Sequence, residues 1–273
     1  DMLTLGVNGT TATAAHLNTL ATKTGGKIKL DATEVTGDVA ALTDLYVTNK
    51  ASFTALGNEN VTITGANPTA AELNTIAAAT SGKVTAILAP ATTIDAAAVT
   101  ALKDVKATDA ITFKTTDTDL DGKDELNALL AIKKLIPNAD FKKIVTIGAD
   151  AKDVALVKNV LKDVAANVAV TIDPAGQISA ADANAIAKAT TGVVTATLKD
   201  GSVAATLKAL TNVDTNDVLT FKTTDKTVKA TDLVDLDSKI DNGTYTSIET
   251  ITGDAKDSAD IAVALGIATN PEV

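Results

Sequence analysis

The feature that most constrains this chain is internal repetition. The segment 70–76 (AAELNTI) leads into 82–88 (GKVTAIL), and 180–186 (AADANAI) leads into 192–198 (GVVTATL), an offset of 110 residues. The segment FKTTD occurs at 113–117 and again, unchanged, at 221–225. Repetition at this scale belongs to stacked architectures in which each unit contacts mainly its neighbours. Such chains serve as scaffolds or extended binding surfaces more readily than as enclosing pockets.

A shorter cycle runs inside the long one: an apolar-periodic stretch, a break, then a β-rich stretch. Leu73, Ile76 and Ala77 recur at helical spacing behind Thr69, and Thr69–Glu72 has the capping-box pattern, with Ser179–Asp182 a near variant. Thr13–Asn18 occupies the same place in an earlier unit, and Gly26, Gly82 and Gly192 follow the three segments, where a left-handed helix stop is expected. The β-rich stretches alternate: Val168, Val170 and Ile172 oppose Ala169 and Thr171, and Leu219 and Phe221 oppose Thr220 and Lys222. Nine strands are predicted, centred near Lys29, Thr62, Thr85, Thr112, Val145, Val170, Thr195, Thr220 and Thr250. Helices are predicted over 70–79, 95–105, 124–136, 154–164, 203–211 and 231–240. A helix between successive strands makes them parallel.

The expected fold is therefore α/β: an open repeat solenoid of helix–strand units with one parallel sheet and helices on one side. The alternative is two compact α/β repeat domains. The division implied by the repeat is 1–65 for the N-terminal units, 66–173 for the first long repeat and 174–273 for the second, as one continuous solenoid. The wider step between the strands near 112 and 145 predicts an insertion, as a loop or a longer helix.

Composition narrows function. Acidic side chains number 34 against 24 basic, a net charge of −10, which argues against nucleic acid and against anionic lipid surfaces. No apolar run has membrane-spanning length. Hydrophobic residues make up 45% but aromatics only 2%, so the core is built from small aliphatics that suit thin layers and not a ligand pocket. With no cysteine and His16 the single histidine, a zinc site or a Cys/His nucleophile pair is excluded, and His16 reads as a surface helix residue. The serines lie in no nucleophile-elbow context, and Gly-rich phosphate loops are absent. Carboxylate-pair hydrolysis lacks the aromatics that hold a sugar. The chain is expected not to be an enzyme. Asp1 in place of Met points to a processed product or a fragment of a longer chain, or to an engineered start.

The segments 72–86 (ELNTIAAATSGKVTA) and 210–220 (LTNVDTNDVLT) resemble repeat units of very large bacterial, especially cyanobacterial, extracellular proteins of the surface-layer, adhesin-like and calcium-binding kind. The resemblance spans most of the chain in Ala/Thr/Asp-rich text. It implies a secreted or cell-surface structural protein, part of a surface layer, sheath, filament or adhesin stalk, and it supplies no catalytic residues.

The sharpest local motif is 117–125 (DTDLDGKDE). Asp117, Asp119 and Asp121 stand at loop positions 1, 3 and 5, Gly122 at 6 and Glu125 at 9, as at the start of an EF-hand. Position 12 is Ala128, where the full motif has a bidentate Glu, and the equivalent segment of the next long repeat keeps only Asp225. Calcium is the expected cofactor, with a stiffening role, set against a plain solvated acidic turn. The expected partners are further copies or neighbouring repeats. The alternative is a calcium-dependent adhesive module for a glycan or protein receptor. Thr-x-Thr strands at Thr62/Thr64 and Thr195/Thr197 raise ice binding as a remote further reading, with Lys29, Lys114 and Lys222 interrupting the rank. The unpaired strand edges at the ends are expected interfaces, 1–8 with Leu3, Leu5 and Val7 among them. The sequons at Asn8, Asn60 and Asn242 read as chance in a Thr-rich chain.

Overall fold

The computed structural model describes residues 4–269. The protein is α/β, with every strand pairing parallel. It divides into two compact units, one of residues 1–117 with 127–141, the other of 118–126 with 142–273.

In the first unit a five-stranded sheet runs in the order Thr11–Thr13, Glu34–Gly37, Asn60–Ile63, Val84–Ile87 and Ala110–Thr112. A three-stranded sheet joins Leu5–Val7, Ile28–Leu30 and Phe53–Thr54. In the second unit the main ladder runs Asp119–Asp121, Thr146–Ala149, Ala169–Ile172, Val194–Leu198, Val218–Lys222 and Asn242–Thr244, with Gln177–Ile178 pairing on Val194–Leu198. A separate pair joins Thr227–Lys229 to Thr250–Thr252. The single sheet expected from the alternation is thus four sheets among the described residues. Lys29 and Thr250 sit on shorter sheets, and their coils reach the main ladders through Glu34–Gly37 and Asn242–Thr244.

Within each main ladder a residue pairs with one 22 to 27 positions later, from Thr220↔Asn242 to Asp119↔Thr146. Despite that variation in step, the pairing places like residues in rows. Val35, Val61 and Val84 form one inward row, and Leu120, Ile147, Val170 and Val194 another, all essentially inaccessible to solvent. Each such side chain contributes about 1.5–3 kcal/mol on burial. The core is mostly aliphatic, with Tyr46, Phe53, Phe221 and Tyr245 also buried, and Phe113 and Phe141 meet in the first unit with ring centroids 5.6 Å apart.

Helices fall where the periodicity placed them: Ala70–Ala79, Ala96–Thr100, Lys123–Leu135, Val154–Val160, Val203–Ala209 and Ala230–Asp237. The longest, Lys123–Leu135, occupies the wide step between 112 and 145. Helix starts are capped as read. Glu72 N–H donates to Thr69 Oγ1 at 3.3 Å while Thr69 N–H donates to the Glu72 carboxylate at 2.8 Å, and this pairing holds the Glu72 carboxyl below the usual carboxylate range. Asp182 N–H donates to Ser179 Oγ at 3.0 Å.

The helix ends correct one expectation. The residues after the helices, Thr24, Thr80 and Thr190, are extended, and neither Gly82 nor Gly192 has a positive φ. Glycine is required there for space. A Cβ on Gly82 would lie 2.2 Å from the Glu59 carbonyl oxygen, and one on Gly192 would lie 2.3 Å from that of Val168.

Candidate functional site

The acidic segment does not form a loop wrapped around a point. Asp119–Asp121 is a strand paired to Thr146–Gly148, so its two carboxylates project from one side while Leu120 enters the core. Gly122 turns the chain at φ +82°, and Glu125, in the first turn of Lys123–Leu135, accepts from the Asp121 N–H at 2.5 Å.

Asp117 lies in the first unit and has a separate role. Its Oδ2 accepts the Ile94 N–H of the preceding coil at 2.9 Å. Thr115 Oγ1 supports it, accepting the Asp117 N–H at 2.9 Å and donating to the Ala91 carbonyl at 3.0 Å. The second FKTTD does the same. Asp225 Oδ2 accepts the Val203 N–H at 2.8 Å, and Thr223 Oγ1 accepts from Asp225 N–H and donates to the Gly201 carbonyl, both at 3.1 Å. This duplicated clamp explains why the second copy of the segment keeps the first Asp and loses the rest. Among the described residues no group of three or more His, Cys, Asp or Glu is arranged to hold a metal ion.

Other polar residues carry parallel duties. Asp109 accepts the Val84 N–H at 2.9 Å and the Lys106 N–H at 2.8 Å. Asp217, its counterpart, accepts the Val194 N–H at 2.8 Å and the Asp214 N–H at 3.2 Å; burial raises its pKa, with those two hydrogen bonds opposing. Thr80 and Thr190 donate to the preceding coil at Glu59 and Val168, at 2.7 and 2.5 Å.

The asparagine at the fifth helical position bonds the following coil in all three matching segments. Asn18 donates to the Ala41 carbonyl at 2.8 Å, Asn74 accepts the Asp104 N–H at 2.6 Å, and Asn184 accepts the Asn212 N–H at 2.6 Å. The repeat in the sequence contained these asparagines, but only the coil-to-coil geometry gives them a role.

His16 stands exposed at the helix position held by Glu72 and Asp182 in the matching segments. In the first unit Thr13, Thr36, Thr62 and Thr85 fall in one row of the ladder, which ends at Ala110, and Thr62 Oγ1 donates to Glu34 at 2.7 Å. Lys29 does not interrupt this row, since it belongs to the three-stranded sheet. A polar cavity of about 550 Å³ in the second unit is lined by Asp217, Asp237, Lys239, Asp241 and Tyr245, but both Asp217 oxygens are already engaged by backbone amides. No helix is long and apolar enough to cross a membrane among the described residues.

The chain matches no family model, no curated protein and no solved structure.

The clamp leads to a measurable contrast. Asp117→Ala and Asp225→Ala should each lower stability by about 1–3 kcal/mol, because a backbone donor loses its acceptor. Asp119→Ala and Asp121→Ala, on the exposed side of their strand, should stay within about 0.5 kcal/mol in chelator. Denaturant melts with and without calcium test this. A loss at Asp117 that appears only with calcium present would contradict the clamp.

Proposed function

We propose that this chain is a structural repeat protein of a bacterial cell surface or extracellular layer, built as an open α/β solenoid and working by mechanical assembly instead of catalysis. The observation that carries this reading is where the polar side chains are spent. Asp109, Asp117, Asp217, Asp225, Thr80, Thr190 and the three asparagines bond one coil to the next, and they do so at matching positions in successive repeats. A catalytic site would converge a few such groups on one cleft. Here they are distributed along the ladder, as rigidity requires. Secretion belongs to the same reading, and calcium enters it only as an outcome of the test below.

The test is negative-stain electron microscopy with sedimentation velocity over a concentration series, in millimolar calcium and then in chelator. Concentration-dependent polymers are the expected result, and polymers that dissolve in chelator would add the calcium role. Monomers at every concentration, together with retention on a glycan array, would replace this reading with the adhesive module.

A further inference from the structure

We infer that the folded chain cuts itself at one bond, Asp173–Pro174, by attack of the Asp173 carboxylate on its own backbone carbonyl.

The five prolines follow Asn67, Ala89, Ile136, Asp173 and Asn270, so the sequence holds one Asp–Pro bond. It lies in the second unit, in the turn between the strands Ala169–Ile172 and Gln177–Ile178. Gly176 N–H closes the turn by donating to the Asp173 carbonyl at 3.0 Å. Asp, Pro and Gly stand at the first, second and fourth positions, where a tight turn favours them. Ala175 N–H donates to Asp173 Oδ1 at 2.9 Å. Two successive amides of one turn therefore hold the carboxylate and the carbonyl of the same residue side by side. Asp173 is exposed, and its Oδ2 has no hydrogen-bond partner among the described residues.

The turn is pinned on both flanks. Asp173 N–H donates to the Ala149 carbonyl of the preceding coil at 2.9 Å, and Thr197 Oγ1 of the following coil donates to the Pro174 carbonyl at 3.5 Å. Gly176 packs so closely on Ala151 that an added Cβ would stand 2.6 Å from that methyl. The charged groups on these coils are Asp150 and Lys152, which pair at 2.5 Å, and Lys199 and Asp200, of which Asp200 accepts from Gln177 at 3.0 Å. Fixing a nucleophile beside its target removes an entropic part of the barrier.

The reaction consumes one water and involves no oxidation or reduction. A carboxylate oxygen of Asp173 bonds to the carbonyl carbon of the same residue. Gly176 N–H already donates to the oxygen on which negative charge develops. The bond from that carbon to the Pro174 nitrogen breaks, and the nitrogen takes a proton from solvent and leaves as a secondary amine. Asp173 is left as a five-membered cyclic anhydride, which water opens to two carboxyl groups.

The cut ends stay together. Val170↔Val194 and Thr171↔Thr195 pair across the break, Thr190 Oγ1 donates to the Val168 carbonyl, and Lys158 pairs with Asp182 at 2.7 Å. The product is a chain that is nicked yet assembled.

The experiment incubates the full chain in mild acid, at a pH where circular dichroism shows it folded, beside the same chain at that pH in urea. Denaturing electrophoresis and mass spectrometry read the fragments 1–173 and 174–273. Folded wild type should cleave about tenfold or more faster than the urea-unfolded chain. Sedimentation velocity without denaturant should still show one species. Asp173→Asn can accept the same Ala175 N–H and so keeps the turn, yet it lacks the carboxylate and should not release these fragments. Asp173→Glu needs a larger anhydride ring and should cleave about tenfold or more slower. Folded wild type that stays whole, or that cleaves no faster than in urea, would overturn the inference, as would cleavage of Asp173→Asn at the wild-type rate.

Discussion

Gly192→Ala should lower the melting temperature by ~10 °C, Gly82→Ala by a comparable amount, and Gly25→Ala by little. Gly82 and Gly192 hold the same place after their repeat helices, and Gly25 stands one position before their counterpart Gly26, so a propensity argument would give all three a similar cost. Their surroundings differ. At Gly192 an added Cβ would stand 2.3 Å from the Val168 carbonyl oxygen and 2.6 Å from that of Asn167, and at Gly82 it would stand 2.2 Å from that of Glu59. These are backbone atoms, which cannot rotate away. Thr190 fixes the approach by donating to the Val168 carbonyl while accepting the Gly192 N–H at 2.9 Å, and Thr80 does the same beside Gly82. Relief requires the coils to separate where the strands Val84–Ile87 and Val194–Leu198 begin, disturbing the first ladder bonds. About 3 kcal/mol is a reasonable scale for an overpacked methyl that backbone must accommodate. At Gly25 nothing lies within 4 Å of the added atom. Differential scanning calorimetry of the three variants decides the matter, and equal shifts for Gly25 and Gly192 would count against the close approach.

The same glycines show what the sequence discloses and what it hides. Period-two alternation placed Val84–Ile87, Val194–Leu198 and Val218–Lys222 correctly, because a strand with one apolar face writes that face into its text. The strands that were missed lack such a signal. Asn242–Thr244 carries no alternating apolar residue, yet it pairs with Thr220–Lys222. Asp119–Asp121 reads as a cation loop, yet Leu120 anchors it opposite Ile147. In both, pairing with an already placed neighbour overrides a weak local preference, as is usual for β structure. The clamps were hidden for a related reason. Asp117 and Ile94 are 23 residues apart in sequence and 2.9 Å apart in space, and only the step length of the coil brings them together. Repetition in the text was the one available trace of these clamps, since FKTTD returns unchanged where the clamp returns.

Alkaline pH should unfold this protein sooner than its lysines alone would require, because its two tyrosines, one in each unit, cannot ionise in place. Tyr46 lies in a π-helical turn, Asp44–Thr48, at 2% exposure, and its hydroxyl donates to Glu59 at 3.1 Å. Burial pushes its pKa up first, and the Glu59 carboxylate pushes it further. Tyr245, also 2% exposed, rests over Gly243, where a Cβ would strike its ring; burial, followed by the Asp237 carboxylate, raises its pKa. Below the ordinary phenol value of 10.0 both folded and unfolded states hold the proton, and this stabilisation is fully present. Above it the unfolded state releases the proton and the folded state retains it. Stability must then fall with rising pH, by about 1.4 kcal/mol per pH unit for each tyrosine until the folded phenol itself ionises. The phenolate absorbance and the far-ultraviolet circular dichroism should therefore change together in one steep transition. Tyr46→Phe and Tyr245→Phe should each flatten the alkaline limb of the stability curve. Tyr46→Phe should also cost about 1 kcal/mol at neutral pH, since Glu59 loses a hydrogen-bond donor. Phenols that titrate near 10 while the circular dichroism stays native would show that the tyrosines meet solvent and that neither carboxylate holds its phenol protonated.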